Sequence, residues 1–228
     1  MVNFSAKLSE IKSVSLGDLN YPNILLNLKR PPKKLFYIGA LPNPEIVTLG
    51  VVGCRTPTSY GVDLIKTIVP NLKTRPLQIV SGLAHGVDGL AHSYACQVNI
   101  PNFAILGHGL DQIYPTQHER LASIIVAKGG GLLSEFPPGT KPATFHFPLR
   151  NRIIGAFSDC VWVPQASLRS GSRYTIDTAL ELGKQVCTTP GDIFSEYHAL
   201  PNEMLANGAG IVLNATDLDM YLTKKVLS

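Results

Sequence analysis

Short apolar runs recur along the chain, separated by longer stretches in which apolar residues return every three or four positions. Runs bounded by Gly, Pro, Asn or Ser predict buried strands, and the 3.6-residue period predicts amphipathic helices. On this reading strands lie at Ile46 to Val52, Gln78 to Ser81, Asn102 to Leu106, Gly131 to Ser134, Cys160 to Val163, Gln185 to Thr188 and Ile211 to Leu213. Helices fall near Tyr60 to Leu72, Gly86 to Gln97, Gln117 to Ala127, Ser172 to Leu182 and Glu196 to Ala206, with Ser59 before the first and Gly183 after the fourth as boundary residues. Near-continuous apolar strands alternating with helices are the pattern of an α/β fold, a mostly parallel sheet with helices on both faces. The first 45 residues break the alternation. Pro22, Pro31, Pro32, Pro42 and Pro44 predict a short irregular N-terminal extension over 1–45, packed on an α/β domain over 46–228.

Length changes this picture little: 228 residues with 45% hydrophobic content suit one main core. No apolar run reaches the ~18 residues of a membrane span. Met1 to Ser5 lack the basic-then-apolar signature of a secretory signal, so a soluble, cytoplasmic protein without membrane contact is expected. Cys54, Cys96, Cys160 and Cys187 are widely spaced, which predicts reduced, mostly buried thiols rather than a disulfide framework or zinc knuckle. A net charge of +4 fits a polyanionic partner and many ordinary enzymes equally. Its distribution says more. Lys29, Arg30, Lys33 and Lys34 cluster early, where a solvated face is the plainer reading, and Lys141, Arg150, Arg152, Arg169 and Arg173 form a second group.

In a parallel sheet the loops after strand C-termini gather on one edge, where such folds bind ligands. Here those loops are Gly53-Cys54-Arg55-Thr56, Ser81-Gly82-Leu83-Ala84-His85-Gly86, Gly107-His108-Gly109, the stretch Gln165 to Arg173, and Pro190-Gly191. Glycine lets backbone N–H groups approach an anion, and a following helix N-terminus adds unpaired donors and partial positive charge. Any one loop reads equally as a tight turn; their coincidence predicts a phosphorylated ligand. Ser170-Gly171-Ser172, flanked by Arg169 and Arg173, carries this best, although a serine N-cap explains it too.

The enzyme signatures are missing. Gly50-Val51-Val52-Gly53 is not a dinucleotide fingerprint, and no nucleoside-triphosphate loop or Gly-x-Ser-x-Gly elbow is present. His85, Asp88 and His92 stand at helical spacing without a further metal ligand, so capping and polarity explain them better. Glu135 beside Ser134 leaves acid/base chemistry open, with a helix cap or an arginine partner the plainer role. No cofactor, metal or catalytic residue is called for. Phe145, His146 and Phe147 adjoin Arg150 and suit either core packing or stacking on bases.

Taken in order, several motifs resemble the DNA-processing protein A family, whose core is an extended Rossmann-like domain. They are Gly53-Cys54-Arg55; Ser81-Gly82-Leu83-Ala84-His85-Gly86-Val87-Asp88; Leu106-Gly107-His108-Gly109-Leu110-Asp111; Ser134-Glu135-Phe136-Pro137; Phe147-Pro148-Leu149-Arg150-Asn151-Arg152; and Arg169-Ser170-Gly171-Ser172. The resemblance runs from about Tyr21 to Tyr221. It implies non-sequence-specific binding of single-stranded DNA, protection of incoming DNA and loading of the RecA recombinase during natural transformation, with no catalytic step. On it, Arg55 and Ser170 to Ser172 would contact phosphates; Gly53, Ser81, Gly82, His85, Gly107, Lys141, Arg150, Arg152, Arg169 and Arg173 complete the expected interface. Gln165 replaces a common glutamate and Arg173 a common aliphatic residue, making the pocket more positive. The chain ends soon after the core, so contacts made elsewhere through a winged-helix-like domain are not expected. A homodimer is expected from the resemblance and from Ala199, Leu200, Met204, Leu205 and Ile211, which serve core packing equally well. The alternative is a nucleotide-handling enzyme or nucleotide sensor on the related lysine-decarboxylase-like scaffold, whose Pro-Gly-Gly-x-Gly-Thr motif Gly129-Gly130-Gly131 lacks.

Overall fold

The computed structural model describes residues 10–72 and 76–222; the N-terminal Met1 to Ser5 lie outside them. Strands β3 (Val47–Val51), β4 (Leu77–Ser81), β5 (Asn102–Leu106), β6 (Gly131–Ser134), β7 (Cys160–Val163), β8 (Gln185–Thr188) and β9 (Gly210–Ile211) are mutually parallel. Before them come β1 (Lys12–Ser15) and β2 (Lys34–Gly39), which pair antiparallel with each other, β2 also pairing antiparallel with β6. Within the N-terminal segment Leu25 and Leu35 are buried in the core, and β1 and β2 prolong the sheet, so the segment is not irregular throughout. Its prolines flank these strands rather than interrupt them, as Pro31 and Pro32 do before Lys34.

Among the described residues the sheet order is β1-β2-β6-β5-β4-β3-β7-β8-β9. From β3 the chain winds outward through α1 (Ser59–Ile68), α2 (Val87–Gln97) and α3 (Glu119–Ala127) to β6. It then returns through α4 (His146–Phe157) to β7 beside β3, and winds the other way through α5 (Arg173–Glu181) and α6 (Ala199–Ala206). Right-handed crossovers put the two helix sets on opposite faces. One face is sealed by Ile65, Ile68, Ala91 and Ala95 against Leu49, Val51, Ile79 and Trp162, with Leu218 of α7 (Ala215–Tyr221) among them. On the other, Ile153, Ile154, Ile176, Leu200 and Met204 meet Val80, Ile105, Val161 and the N-terminal Leu25 and Leu35.

Two helices outside the sequence expectation are α4 and α7. Proline argues against a helix interior, yet Pro148 is the third residue of α4, within the first turn, where its missing N–H has no intrahelical partner to lose. Ser59, expected before α1, is its first residue, and Thr58 takes the N-cap position. No helix among the described residues is long and apolar enough to cross a membrane.

Candidate nucleic-acid interface

Reversal of the winding direction separates the loops that follow β3 and β7, so a crevice opens between them at the C-terminal ends of the strands. It is a cleft of about 320 Å³ bordered by Arg55, Phe147, Arg150, Asn151 and the Ser170–Ser172 turn. The β3 loop is tightly held. Cys54 N–H donates to the Gln165 carbonyl at 2.9 Å and Val87 N–H to the Cys54 carbonyl at 3.1 Å. A Cβ on Gly53 would lie 2.6 Å from both the Gln165 carbonyl and the Val87 side chain, so only glycine fits. Gly86, with φ +74°, lets the start of α2 press on the Cys54 and Arg55 carbonyls. Burial pushes the Cys54 thiol up to about 11, so it adds no negative charge to the cleft near neutral pH.

From this loop the exposed Arg55 guanidinium lies 5.4 Å over the Phe147 ring, and Arg150 approaches the same ring at 6.0 Å. Arg150 itself is buried beneath the cleft. It donates to the Ile105 carbonyl and faces Asp88, which accepts the Gly82 N–H at 3.1 Å. Burial raises the Asp88 carboxyl against the pull of Arg150 and the Ala84 and Gly82 amides. The Arg150 guanidinium is lowered by burial to about 10 although Asp88 supports its charge, so it stays cationic near neutral pH. A fixed positive charge of low solvent exposure therefore underlies the cleft.

Opposite Arg55, Ser172 N–H donates to Ser170 Oγ at 3.2 Å and the two hydroxyls lie 3.0 Å apart. Asn151 Nδ2 donates to the Gly171 carbonyl at 2.8 Å, fixing the turn to α4. The nearest atom to a Cβ on Gly171 would be 3.9 Å away, so the outer face of the turn is open to a ligand.

The other expected interface residues fall into two groups. Arg169 and Lys141 are exposed, on the β7–α5 loop and on the segment leading into α4. His85 is exposed beside His118, ring centroids 5.2 Å apart. By contrast, Ser81 is buried and donates to the Val51 carbonyl at 2.6 Å, Gly82 packs against Arg150 and Asp88, and Gly107 lies under Phe147. Arg152 pairs with Glu135, the partner expected for that carboxylate, and borders a separate groove with Lys29 and Arg30. Arg173 is drawn to Glu203 of α6 at 3.0 Å, beside another groove. His92 Nδ1 donates to Asn102 Oδ1 at 2.8 Å inside the core, and no His/Cys/Asp/Glu group among the described residues could hold a metal. Asn151 and Gln165 escaped the sequence reading as tethers because a hydrogen bond across 20 or more residues leaves no periodic signal.

The profile described as DNA recombination-mediator protein A matches residues 12–223. Protein Smf of Escherichia coli (strain K12) is 41% identical over 198 residues, covering 87% of this chain and 53% of that protein. DNA processing protein DprA of Streptococcus pneumoniae is 35% identical over 216 residues, or 95% of this chain and 76% of the relative. This chain thus spans about half the length of the E. coli relative. The X-ray structure of the S. pneumoniae DprA superposes with a TM-score of 0.87 at 34% identity, over 95% of this chain and 76% of that one. That of Helicobacter pylori DNA processing protein A, described for its single-stranded DNA binding mode, gives 0.79 at 29% identity over 92% and 94%. The molybdenum cofactor binding protein of Rippkaea orientalis, at 16% identity and a TM-score of 0.53 over 78% of this chain and 96% of that one, shares the fold alone. With a profile spanning nearly all the described residues and agreement of fold over 95% of its length, this chain belongs to the DNA recombination-mediator protein A family.

Proposed function

We propose that this chain binds single-stranded DNA by its phosphate backbone in the cleft at the sheet's switch point, without sequence preference. The observation that carries the reading is Arg55 spread over Phe147 and facing the open Ser170–Ser172 turn, with buried Arg150 beneath. A planar guanidinium holds two phosphate oxygens at once, and an adjoining aromatic face receives a base of any identity. The H. pylori relative is described as binding single-stranded DNA, and the cleft here has the chemistry for the same ligand.

Direct contacts fall to Arg55, Arg169, Lys141 and the Ser170–Ser172 amides and hydroxyls. Arg150 acts through its charge from below, whereas Arg152 and Arg173 serve structure. The role follows from the ligand: a cytoplasmic protein that covers incoming single strands in natural transformation and recombination, helps load the RecA recombinase, and works as a homodimer without turning over a nucleotide.

Fluorescence anisotropy with labelled oligo-thymidine and a mixed-sequence strand tests this. Similar affinities for the two, undiminished by millimolar mononucleotide, are expected. Binding lost to mononucleotide, or release of a free base from it, would overturn the reading in favour of a nucleotide-handling site.

A further inference from the structure

Gln165 follows β7 and is fully buried, yet its amide makes hydrogen bonds on every side. Thr58 N–H donates to Gln165 Oε1 at 2.8 Å, which fixes the amide's orientation because a backbone N–H can only donate. Its NH2 group therefore faces Thr58 Oγ1 at 2.8 Å and His198 Nε2 at 3.1 Å. An amide NH2 can only donate as well, so His198 must present an unprotonated Nε2 and carry its proton on Nδ1. Burial, which lowers the His198 pKa, favours that neutral ring. Oε1 also presses on Gly61 of α1, where a Cβ would collide with it.

The main chain of the same residue holds the other end of the segment, since its carbonyl accepts the Cys54 N–H at 2.9 Å. One buried residue thus clamps the stretch from Cys54 to Thr58 at both ends, with Arg55 between. Through His198 it joins that stretch to the loop after β8, where Tyr60 also binds, its hydroxyl donating to the Pro190 carbonyl at 2.7 Å and its ring meeting His198 edge-on at 5.1 Å.

We propose that Gln165 is a positioning residue for Arg55: it touches no ligand, and it sets the cleft's affinity for nucleic-acid phosphate by holding the Arg55 loop in register with Phe147 and the Ser170–Ser172 turn. The proposal rests on the single-stranded DNA reading above. Bonds from a buried amide suit this task because each lost partner leaves a buried donor or acceptor unsatisfied, so the loop has one favoured position. Arginine needs that help, since most of its rotamer freedom must be surrendered on binding and a displaced loop cannot aim the planar fork at two oxygens.

The test is a double-mutant cycle read by anisotropy with labelled oligo-thymidine, using Gln165→Met, Arg55→Ala and the pair, each checked for folding by thermal melting. Gln165→Met keeps the length and loses the amide. It is expected to weaken binding about tenfold in the wild-type background and by less than about twofold once Arg55 is alanine. If Gln165→Met lowers affinity by the same factor in both backgrounds, or leaves it unchanged in the wild type, the positioning role is overturned while the DNA site stands. If Arg55→Ala itself leaves affinity unchanged, the DNA placement falls and this role with it. Should Gln165→Met fail to fold, Thr58→Val replaces it in the cycle. Thr58 Oγ1 caps no helix N–H, so that change removes one arm of the clamp alone, and its smaller loss of affinity is expected to vanish in the Arg55→Ala background.

Discussion

A single guanidinium shows how little of a residue's role is in its identity. Arg55, Arg150, Arg152 and Arg173 are alike in the sequence and differ in what each faces: a ring and open solvent, a buried carboxylate, Glu135, and Glu203. Of these, Arg55 alone is presented as a direct phosphate contact, so Arg55→Ala is expected to reduce the log–log salt slope of single-strand binding by about 0.7. Arg55→Lys is expected to restore the slope but only part of the affinity, because an ammonium is a point charge without the fork. Arg152→Ala is the contrast and is expected to leave the slope unchanged. Anisotropy titrations between low and moderate salt, on thymidine and mixed strands alike, read all three; an unchanged slope for Arg55→Ala would remove DNA from this edge.

Between elements, buried polar pairs do the fastening at the cleft's base. Asp88 of α2 and Arg150 of α4 meet under Gly82, and neither is exposed. Without Arg150, Asp88 keeps its backbone amide partners but stays buried without the neighbouring cation, at a cost of up to about 3–5 kcal/mol, so Arg150→Met is expected to lower stability toward that order in urea melts at pH 8. Burial raises the Asp88 pKa, so its folded form takes up a proton more readily than the unfolded chain does. The loss in Arg150→Met is therefore smaller at pH 5 than at pH 8. Asp88→Asn in the same chain is expected to recover part of it.

A second tie joins α2 to β5. His92 is buried with its pKa lowered to about 4 by burial, against the 6.5 of an exposed ring. Here the unfolded chain binds the extra proton, so this contribution is complete above pH 6.5 and is lost as pH falls to 4. That interval is worth about 3 kcal/mol at most. Stability measured by urea melts across pH 7 to 4 is expected to fall less steeply in His92→Gln, and equal slopes would assign the acid sensitivity elsewhere.

At the scale of the molecule, the two-way winding gathers one kind of loop on one edge, and the opposite flank is left with strand β9 and its neighbours. Leu200 and Met204, which the sequence offered for a dimer, are buried in this chain's own core, whereas Ile211, Leu213 and Met220 are exposed. The Tyr221 hydroxyl accepts the Ile211 N–H at 3.1 Å and so covers β9, and it is the exposed apolar side chains beside it that favour self-association. Light scattering is expected to give twice the chain mass, and Ile211→Lys to shift it toward the monomer. A monomer mass at every accessible concentration, with and without DNA, would defeat the dimer. If, as proposed, Arg55, Arg169 and Lys141 each neutralise one phosphate, the salt slope for a short strand is expected near −2, from about −0.7 per contact.

How far the sequence reaches follows from which signals are local. Seven parallel strands, the α/β alternation and the glycine-rich loops at the strand C-termini were legible, because apolar runs and period-3.6 stretches record burial directly and glycines after strands record close approach. The helix from His146 to Phe157 was not, since Pro148 and three polar residues in succession, Arg150 to Arg152, mask its apolar face. β1 and β2 were lost among prolines because β2 finds its partner in β6, far along the chain, and β1 finds its own in β2, which a strand cannot show alone. Within the site, Arg55 and Ser170–Ser172 were named from glycine, charge and family likeness. Only the tertiary structure decided that Arg152 and Arg173 turn to carboxylates, that Arg150 lies below the cleft, and that Gln165 clamps the Cys54–Thr58 stretch from the core. Those choices depend on distances between residues far apart in the chain, which composition and periodicity do not encode.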